Sequence, residues 1–287
     1  MKQKLNKTTF PAYGWIGLAL IILFWTLNWA LTGLRTDWGF FPLWLGYCLT
    51  MDAIIFKRKS TSLITRNFKK FIILFLISAP AWWLFELLNG FTKNWYYDGR
   101  QYFTNLQFII LASISFSTVM PAVFETAELA GTFKWIKTLK SNKGINLKKP
   151  ASLKLFLSGI IMLILIIIFP EYFYYLIWIS LYLIIEPINF ILENGTLLEY
   201  MRKGDWRPVI ALSVGCLICG FFWEMWNFYS YPKWIYHLPF VNFFHVFEMP
   251  VLGYIGYIPF SLEIFALFHL VIGIISKERF KDYIQIL

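Results

Sequence analysis

The chain has 287 residues, of which 59% are hydrophobic, 21% aromatic and 15% charged, with a formal net charge of +10. Soluble domains carry about 25% charged residues, so a water-soluble globular fold is excluded. The excess positive charge sits in the segments between apolar runs, which argues against a nucleic-acid partner and for a protein oriented in a bilayer.

Met1 to Thr9 carries Lys2, Lys4 and Lys7 ahead of an apolar run, in the manner of a signal peptide. No small-x-small cleavage site ends that run, so a retained first helix is expected over 13–34. Further spans follow at 40–57, 70–90, 106–133, 153–169, 172–192, 208–229 and 250–275. Several reach the roughly 20 apolar residues that a helix needs to cross a bilayer core. Unbroken blocks such as Ile160 to Phe169 are unlike the alternation of a membrane β-barrel. The fold class expected is an all-α integral membrane protein with about eight transmembrane helices.

These spans divide the loops into two sets. The set that includes the N-terminus holds 22 Lys and Arg, and the opposite set holds only Arg35, Lys93, Arg100 and Lys233. By the positive-inside rule both termini are expected in the cytoplasm. The corresponding location is a multi-pass protein of a bacterial-type inner (plasma) membrane, whose basic loops touch anionic lipid.

The chain also repeats itself. Trp83-Leu84-Phe85-Glu86-Leu87-Leu88-Asn89 returns as Phe221-Phe222-Trp223-Glu224-Met225-Trp226-Asn227, at an offset of 138 residues. Pro121-Ala122-Val123-Phe124-Glu125 returns at the same offset as Pro259-Phe260-Ser261-Leu262-Glu263. Trp44 with Asp52 matches Trp178 with Glu186 at an offset of 134. Two parallel four-helix tandem repeats are expected, residues 1–140 and 141–287, with Ser141-Asn142-Lys143-Gly144 reading as a loop between them. An even number of spans per repeat gives a pseudo-twofold axis along the membrane normal.

Ionisable residues inside spans are costly and commonly mark proton, ion or substrate paths. Glu86, Glu125, Glu224 and Glu263 therefore lead the candidates. Asn89 and Asn227 share a helical face with Glu86 and Glu224 through the i, i+3 spacing. Hydrogen-bonded glue between helices is the competing role for all six. Asp52 and Glu186, toward the cytoplasmic helix ends, can snorkel or pair with basic loops. The aromatic segments Asn94 to Tyr97 and Tyr231 to Tyr236 suit an interface belt, and their recurrence beside Glu-x-x-Asn also allows a site rim.

The second copy is richer. His245-x-x-Glu248-Met249-Pro250 precedes Gly253-Tyr254-Ile255-Gly256-Tyr257-Ile258-Pro259, whose glycines and prolines break a helix. Trp223, Trp226, His245, Glu248, Tyr254 and Tyr257 are the residues expected to line a substrate pocket there. A metal set can be drawn from His237, His245, Glu248, Glu224 and Glu263, with His245 and Glu248 on one face if that stretch is helical. The chain has only three histidines and no His-Glu-x-x-His, so no metal is expected. No Walker sequence or Gly-rich phosphate loop appears, and no cofactor is expected. Cys216 and Cys219 form a C-x-x-C inside an apolar helix, beside Ser213, Gly215 and Gly220, where close helix packing is the expected role.

Tandem multi-helix repeats with a proline, a carboxylate and aromatics resemble the membrane lycopene cyclase domains of carotenoid synthesis. The resembling residues are Pro121 to Glu125 and Pro259 to Phe265. Those cyclases carry Pro-x-Glu-Glu/Asp followed by Phe-Phe, whereas here a single carboxylate stands two residues later, followed by Phe265 and Phe268. The resemblance implies acid–base chemistry on a polyene, with a glutamic acid adding a proton and aromatic faces stabilising the cation.

The function expected is that of a membrane enzyme acting on an apolar lipid or isoprenoid. Glu224 and Glu263 would be acid and base, Asn227 would orient one of them, and Trp223 and Trp226 would line the pocket. A proton-coupled transporter and a noncatalytic membrane subunit are the alternatives.

Overall fold

Hydrocarbon offers the backbone no hydrogen-bond partner, so each long apolar run must satisfy its own N–H and C=O groups as a helix. The computed structural model describes residues 9–139, 143–145, 149–275 and 283–287. The basic start at Lys2, Lys4 and Lys7, linker residues Ser141 and Asn142, and Lys277, Arg279 and Lys281 lie outside these.

Among the described residues, eight segments are long and apolar enough to cross a membrane. The first three are α1 (Ala12–Ala30), α2 (Thr36–Lys59) and, after the short α3 (Leu63–Arg66), α4 (Phe68–Thr92). Strand β1 (Trp95–Asp98) precedes the fourth, which comprises α5 (Asn105–Phe116) and α6 (Val119–Gly131) and is followed by the short α7 (Lys134–Lys137). The fifth is α8 (Lys149–Ile168), and the sixth joins α9 (Pro170–Phe173) to α10 (Ile177–Ile191). Beyond α11 (Leu197–Arg202), α12 (Arg207–Phe228) is the seventh. Strands β2 (Lys233–Tyr236), β3 (His245–Val246) and β4 (Met249–Pro250) then lead to α13 (Tyr257–Ile275), the core of the eighth. The protein is therefore an all-α, multi-pass membrane protein.

Three spans are interrupted, the sixth by a 3-10 turn at Tyr174–Leu176 between α9 and α10. The glycine- and proline-rich stretch before α13 forms a 3-10 turn at Val251–Gly256, at the break expected from the sequence. The fourth span, expected as one helix, divides between Phe116 and Val119. A serine of α4 satisfies the backbone groups freed there: Ser78 Oγ donates to the Phe116 carbonyl at 2.6 Å and accepts from Met120 N at 3.0 Å. A break inside a membrane persists only with such replacement partners.

Packing follows small residues. A methyl group added at Gly17 of α1 would meet the Gly46 carbonyl of α2 at 2.8 Å, and one at Gly159 of α8 would meet the Ser180 carbonyl of α10 at 2.8 Å. At the α6–α12 crossing, a methyl group on Gly215 would meet Ala127 N and Cα at 2.5 Å. In lipid, where apolar burial does not distinguish protein from solvent, such close approach carries much of the helix association. Helices α1 and α8 are the most peripheral spans, and Ile22, Leu23, Ile161 and Ile164 on them are exposed. Trp44, Tyr47, Phe85, Phe124, Phe260 and Phe268 are fully buried at the centre.

The C-terminal ends of α2 and α6 mark one end of the molecule. There Asp52 Oδ1 accepts from Tyr13 OH at 2.5 Å and Oδ2 from Ile64 N at 2.8 Å. Glu186 Oε1 accepts from Thr196 Oγ1 at 2.5 Å and from Leu198 N at 2.8 Å. Neither carboxyl snorkels, because each is buried and receives a backbone N–H from the first turn of a short helix, α3 or α11, where anionic groups are favoured. Glu128 pairs with Arg66 and also accepts from Gln285 N at 2.7 Å, which ties the last residues to this end.

Candidate functional site

At the opposite end, α4 and α12 each finish in Glu-x-x-Asn. The i, i+3 spacing aims both polar groups at the chain that follows the helix. Lys93, with φ of 52°, ends α4 in the left-handed region and turns the chain back. Asn89 Oδ1 then accepts from Asn94 N at 2.8 Å and Trp95 N at 3.2 Å, while Nδ2 donates to the Trp95 carbonyl at 2.8 Å. Asn227 does the same for the second segment, accepting from Trp234 N at 3.0 Å and donating to its carbonyl at 2.7 Å. Each asparagine thus starts a strand.

The two strands pair with each other. β1 and β2 form an antiparallel ribbon with Trp95 opposite Tyr236, Tyr97 opposite Trp234 and Asp98 opposite Lys233. Alternation puts Trp95, Tyr97, Trp234 and Tyr236 on one face. The glutamates hold that face. Glu86 Oε1 accepts from Tyr97 OH at 2.5 Å, Trp82 Nε1 at 2.9 Å and Trp95 Nε1 at 3.0 Å. Glu224 Oε1 accepts from Tyr257 OH at 2.5 Å and Tyr236 OH at 2.8 Å. Burial, followed by the adjacent glutamate, raises the Tyr97 and Tyr236 phenols well above their ordinary value of 10.0, so both are held as neutral donors.

Under the ribbon lies a cavity of about 640 Å³, within the range of small-molecule sites. The four ribbon aromatics, together with Trp82, Trp178, Trp223, Tyr257 and Phe260, make much of its wall. Thr36, Asp37, Asn94, Arg100, Ser115 and Lys233 are polar or charged residues among those around it.

Six of the residues singled out from the sequence gather here. Glu86, Glu224, Asn89 and Asn227 hold the ribbon, and Trp223 and Tyr257 line the cavity. Glu263 lies one turn past Phe260 on α13, accepting from Leu181 N at 3.1 Å, and its Oε2 is buried without a partner. It is not in the cavity wall. Glu125 is fully buried at the other end, where the Asp52 carboxyl is its one hydrogen-bonding neighbour and no N–H or hydroxyl donor reaches either oxygen. Trp226 packs on Trp25, Trp44 and Tyr47, away from the cavity lining.

His245 and Glu248 do not share a helical face, because their stretch forms β3 and β4 with Phe244 and Phe247 at positive φ. His245 is exposed and bonds to Asn242, while Glu248 pairs with Lys233. Tyr254 OH donates to the Val246 carbonyl at 3.1 Å. Among the described residues no three His, Cys, Asp or Glu side chains converge in a way that holds a metal ion. Cys216 and Cys219 are buried free thiols on α12. Sequence reasoning did not single out Trp82, Trp95, Tyr97, Trp178, Tyr236 or Asn94 as site residues. For Asn94, Trp95, Tyr97 and Tyr236 the signal was the recurrence of aromatic segments after Glu-x-x-Asn, which allowed a site rim; for Trp178 it was the repeat match with Trp44, and Trp82 had none.

No family model, curated protein or solved structure matches this chain.

Proposed function

We propose that this membrane protein takes an apolar lipid or isoprenoid into the aromatic cavity and acts on it by acid–base chemistry. The observation that carries the reading is the cavity itself. It is of ligand size, walled by indole and phenol rings, and bordered by two tyrosine-linked carboxyls. Aromatic faces stabilise a carbocation through their quadrupoles. A proton added to one carbon of an alkene and another lost from a neighbouring carbon balance as an isomerisation or cyclisation, with no redox partner required. Glu224 supplies the proton through Tyr257 or Tyr236, Glu86 recovers one through Tyr97, and exchange with water between turnovers returns a proton to Glu224 and removes one from Glu86. This is the chemistry that the resemblance to membrane lycopene cyclase domains implies, transferred from Glu263 to the glutamate nearer the cavity.

Two structural proposals accompany it. We infer that the halves are a duplicated four-helix unit. In support, Asp52 with Ile64 and Glu186 with Leu198 make the same bond across 12 residues, and the Asn–Trp pairs (6 and 7 residues apart) and the Glu–Tyr pairs (11 and 12) recur with a shift of one residue. We also place both termini in the cytoplasm, on the loop-charge asymmetry.

The test is mass spectrometry of small molecules that copurify with wild type and with the folded Glu86→Gln/Glu224→Gln double variant. A precursor on the variant and its isomer on wild type are expected. No specific molecule on either sinks the proposal. A second reading rests on the three donors that converge on Glu86 Oε1: the glutamates serve only to pin the ribbon. In that case the double variant melts lower while folded molecules carry the wild-type product.

A further inference from the structure

Among the residues around the cavity, Asn94 is the one whose side chain has both a donor and an acceptor without a partner. Asn94 is 1% exposed, and neither its Oδ1 nor its Nδ2 has a hydrogen-bond partner. Its backbone is fully engaged: the N–H donates to Asn89 Oδ1 at 2.8 Å and the carbonyl accepts from His237 N at 2.7 Å. The side chain is therefore fixed at the start of the ribbon with a free donor and a free acceptor. Exchanging amide oxygen and nitrogen changes nothing, because both are unpartnered. A buried carboxamide left in this state costs free energy that a ligand with matching groups recovers.

The charged groups nearby are already occupied or of the wrong sign for an anionic headgroup. Arg100 donates to the Phe103 carbonyl at 2.6 Å and to Asn105 Oδ1 at 2.5 Å, and stacks over Phe108. Lys233 pairs with Glu248 and donates to the Phe228 carbonyl. Asp37, also in the wall, has an oxygen with no donor. An oxygen free to accept suits a hydroxyl, which has a proton to donate.

Resting on the cavity reading above, we propose that the ligand is a neutral lipid alcohol, an isoprenoid-like body with a hydroxyl at one end, and that Asn94 anchors the hydroxyl. A hydroxyl both donates and accepts, which matches the carboxamide. The hydrocarbon body fills the aromatic part of the cavity.

The test uses three isoprenoids of about twenty carbons, within what a cavity of this class holds, ending in a methyl group, a primary alcohol or a phosphate monoester. Binding to the full-length protein in detergent is followed by quenching of tryptophan fluorescence, corrected for partition into the micelle. For wild type the alcohol is expected to bind about tenfold tighter than the hydrocarbon, the worth of one or two net hydrogen bonds, with the phosphate weaker than the alcohol. Asn94→Leu should abolish the preference for the alcohol and leave the hydrocarbon within about twofold, while Asn94→Ser retains part of it. Equal binding of alcohol and hydrocarbon to wild type, or tightest binding of the phosphate, overturns the anchor and leaves the cavity reading standing. A preference that survives in Asn94→Leu overturns it too. If none of the three binds wild type, the cavity reading falls and the anchor with it. The wild-type comparison decides even if a variant does not fold.

Discussion

A glutamate in a membrane interior must be compensated, and the four here form a graded series. Glu86 has three side-chain donors, Glu224 two, Glu263 one backbone N–H, and Glu125 only the neighbouring Asp52 carboxyl. The series sets the cost of removing a partner. Tyr97→Phe leaves two indole donors on Glu86, whereas Tyr257→Phe leaves a single phenol on Glu224. The second substitution is expected to cost about 1–3 kcal/mol, the penalty for under-satisfying a buried polar group, and the first less. Thermal melts of the two variants in the same detergent check the order, and a larger loss for Tyr97→Phe contradicts it. Glu125 is the opposite case. Its one hydrogen-bonding neighbour is the Asp52 carboxyl, which has the Tyr13 hydroxyl and Ile64 N–H as donors of its own, and replacing a poorly compensated buried polar group by an apolar one of similar shape is nearly neutral or stabilising. Glu125→Met should therefore melt at or above the wild-type temperature. A fall of several degrees would show that the carboxyl has a role in folding. All four glutamates were legible in the sequence because carboxyls are rare in apolar runs. Their partners were not, because Tyr and Trp abound in this chain and only contact separates a donor from bulk.

The ribbon is the element that local patterning hid. Each strand has four residues, too few to show a period of two, and its partner lies well over a hundred residues away in the chain. A run of Trp and Tyr at the end of a span reads as an interface belt, and nothing local says that two such runs will pair. The asparagines were legible as polar residues in apolar helices, but their task became plain only with the backbone they bind. Asn89 makes three bonds to the entry of β1 and Asn227 two to β2. Asn89→Ala should thus release the ribbon more than Asn227→Ala, each by about 1–3 kcal/mol for stranded backbone groups. Hydrogen exchange over 94–98 and 233–237 measures this directly. Faster exchange confined to one strand, or none, would show that the asparagines do not hold the ribbon. The divided fourth span was hidden for a related reason, since the Ser78 hydroxyl that sustains the break belongs to another helix.

For the whole molecule, eight spans were readable from length and apolarity, because a bilayer imposes both. The way the spans cross was readable only as small residues in apolar runs, without partners. The C-x-x-C stretch illustrates this. Cys216 and Cys219 are buried on α12, and the neighbouring Gly215 lets α12 approach the backbone of α6. Here α6 is the lower half of the divided span and α12 carries Glu224, so this crossing sets where the second carboxyl stands relative to the first half of the chain. The position allows no side chain, because even a methyl group would overlap Ala127 backbone atoms at 2.5 Å. Backbone cannot yield as a flexible side chain can, so the helices must part and their close-packed contacts are lost together. Gly215→Ala is expected to lower stability by about 1–3 kcal/mol, and Gly215→Val to remove the folded species. Gly90 is the control: it is helical too, and a methyl group added there meets nothing within 4 Å. Gly90→Ala should hold its elution profile and melting temperature. Fluorescence-detected gel filtration and thermal melts of the three variants separate the effects. A wild-type melting temperature for Gly215→Ala would mean that the crossing is looser than 2.5 Å implies and that Glu224 is positioned by the ribbon alone.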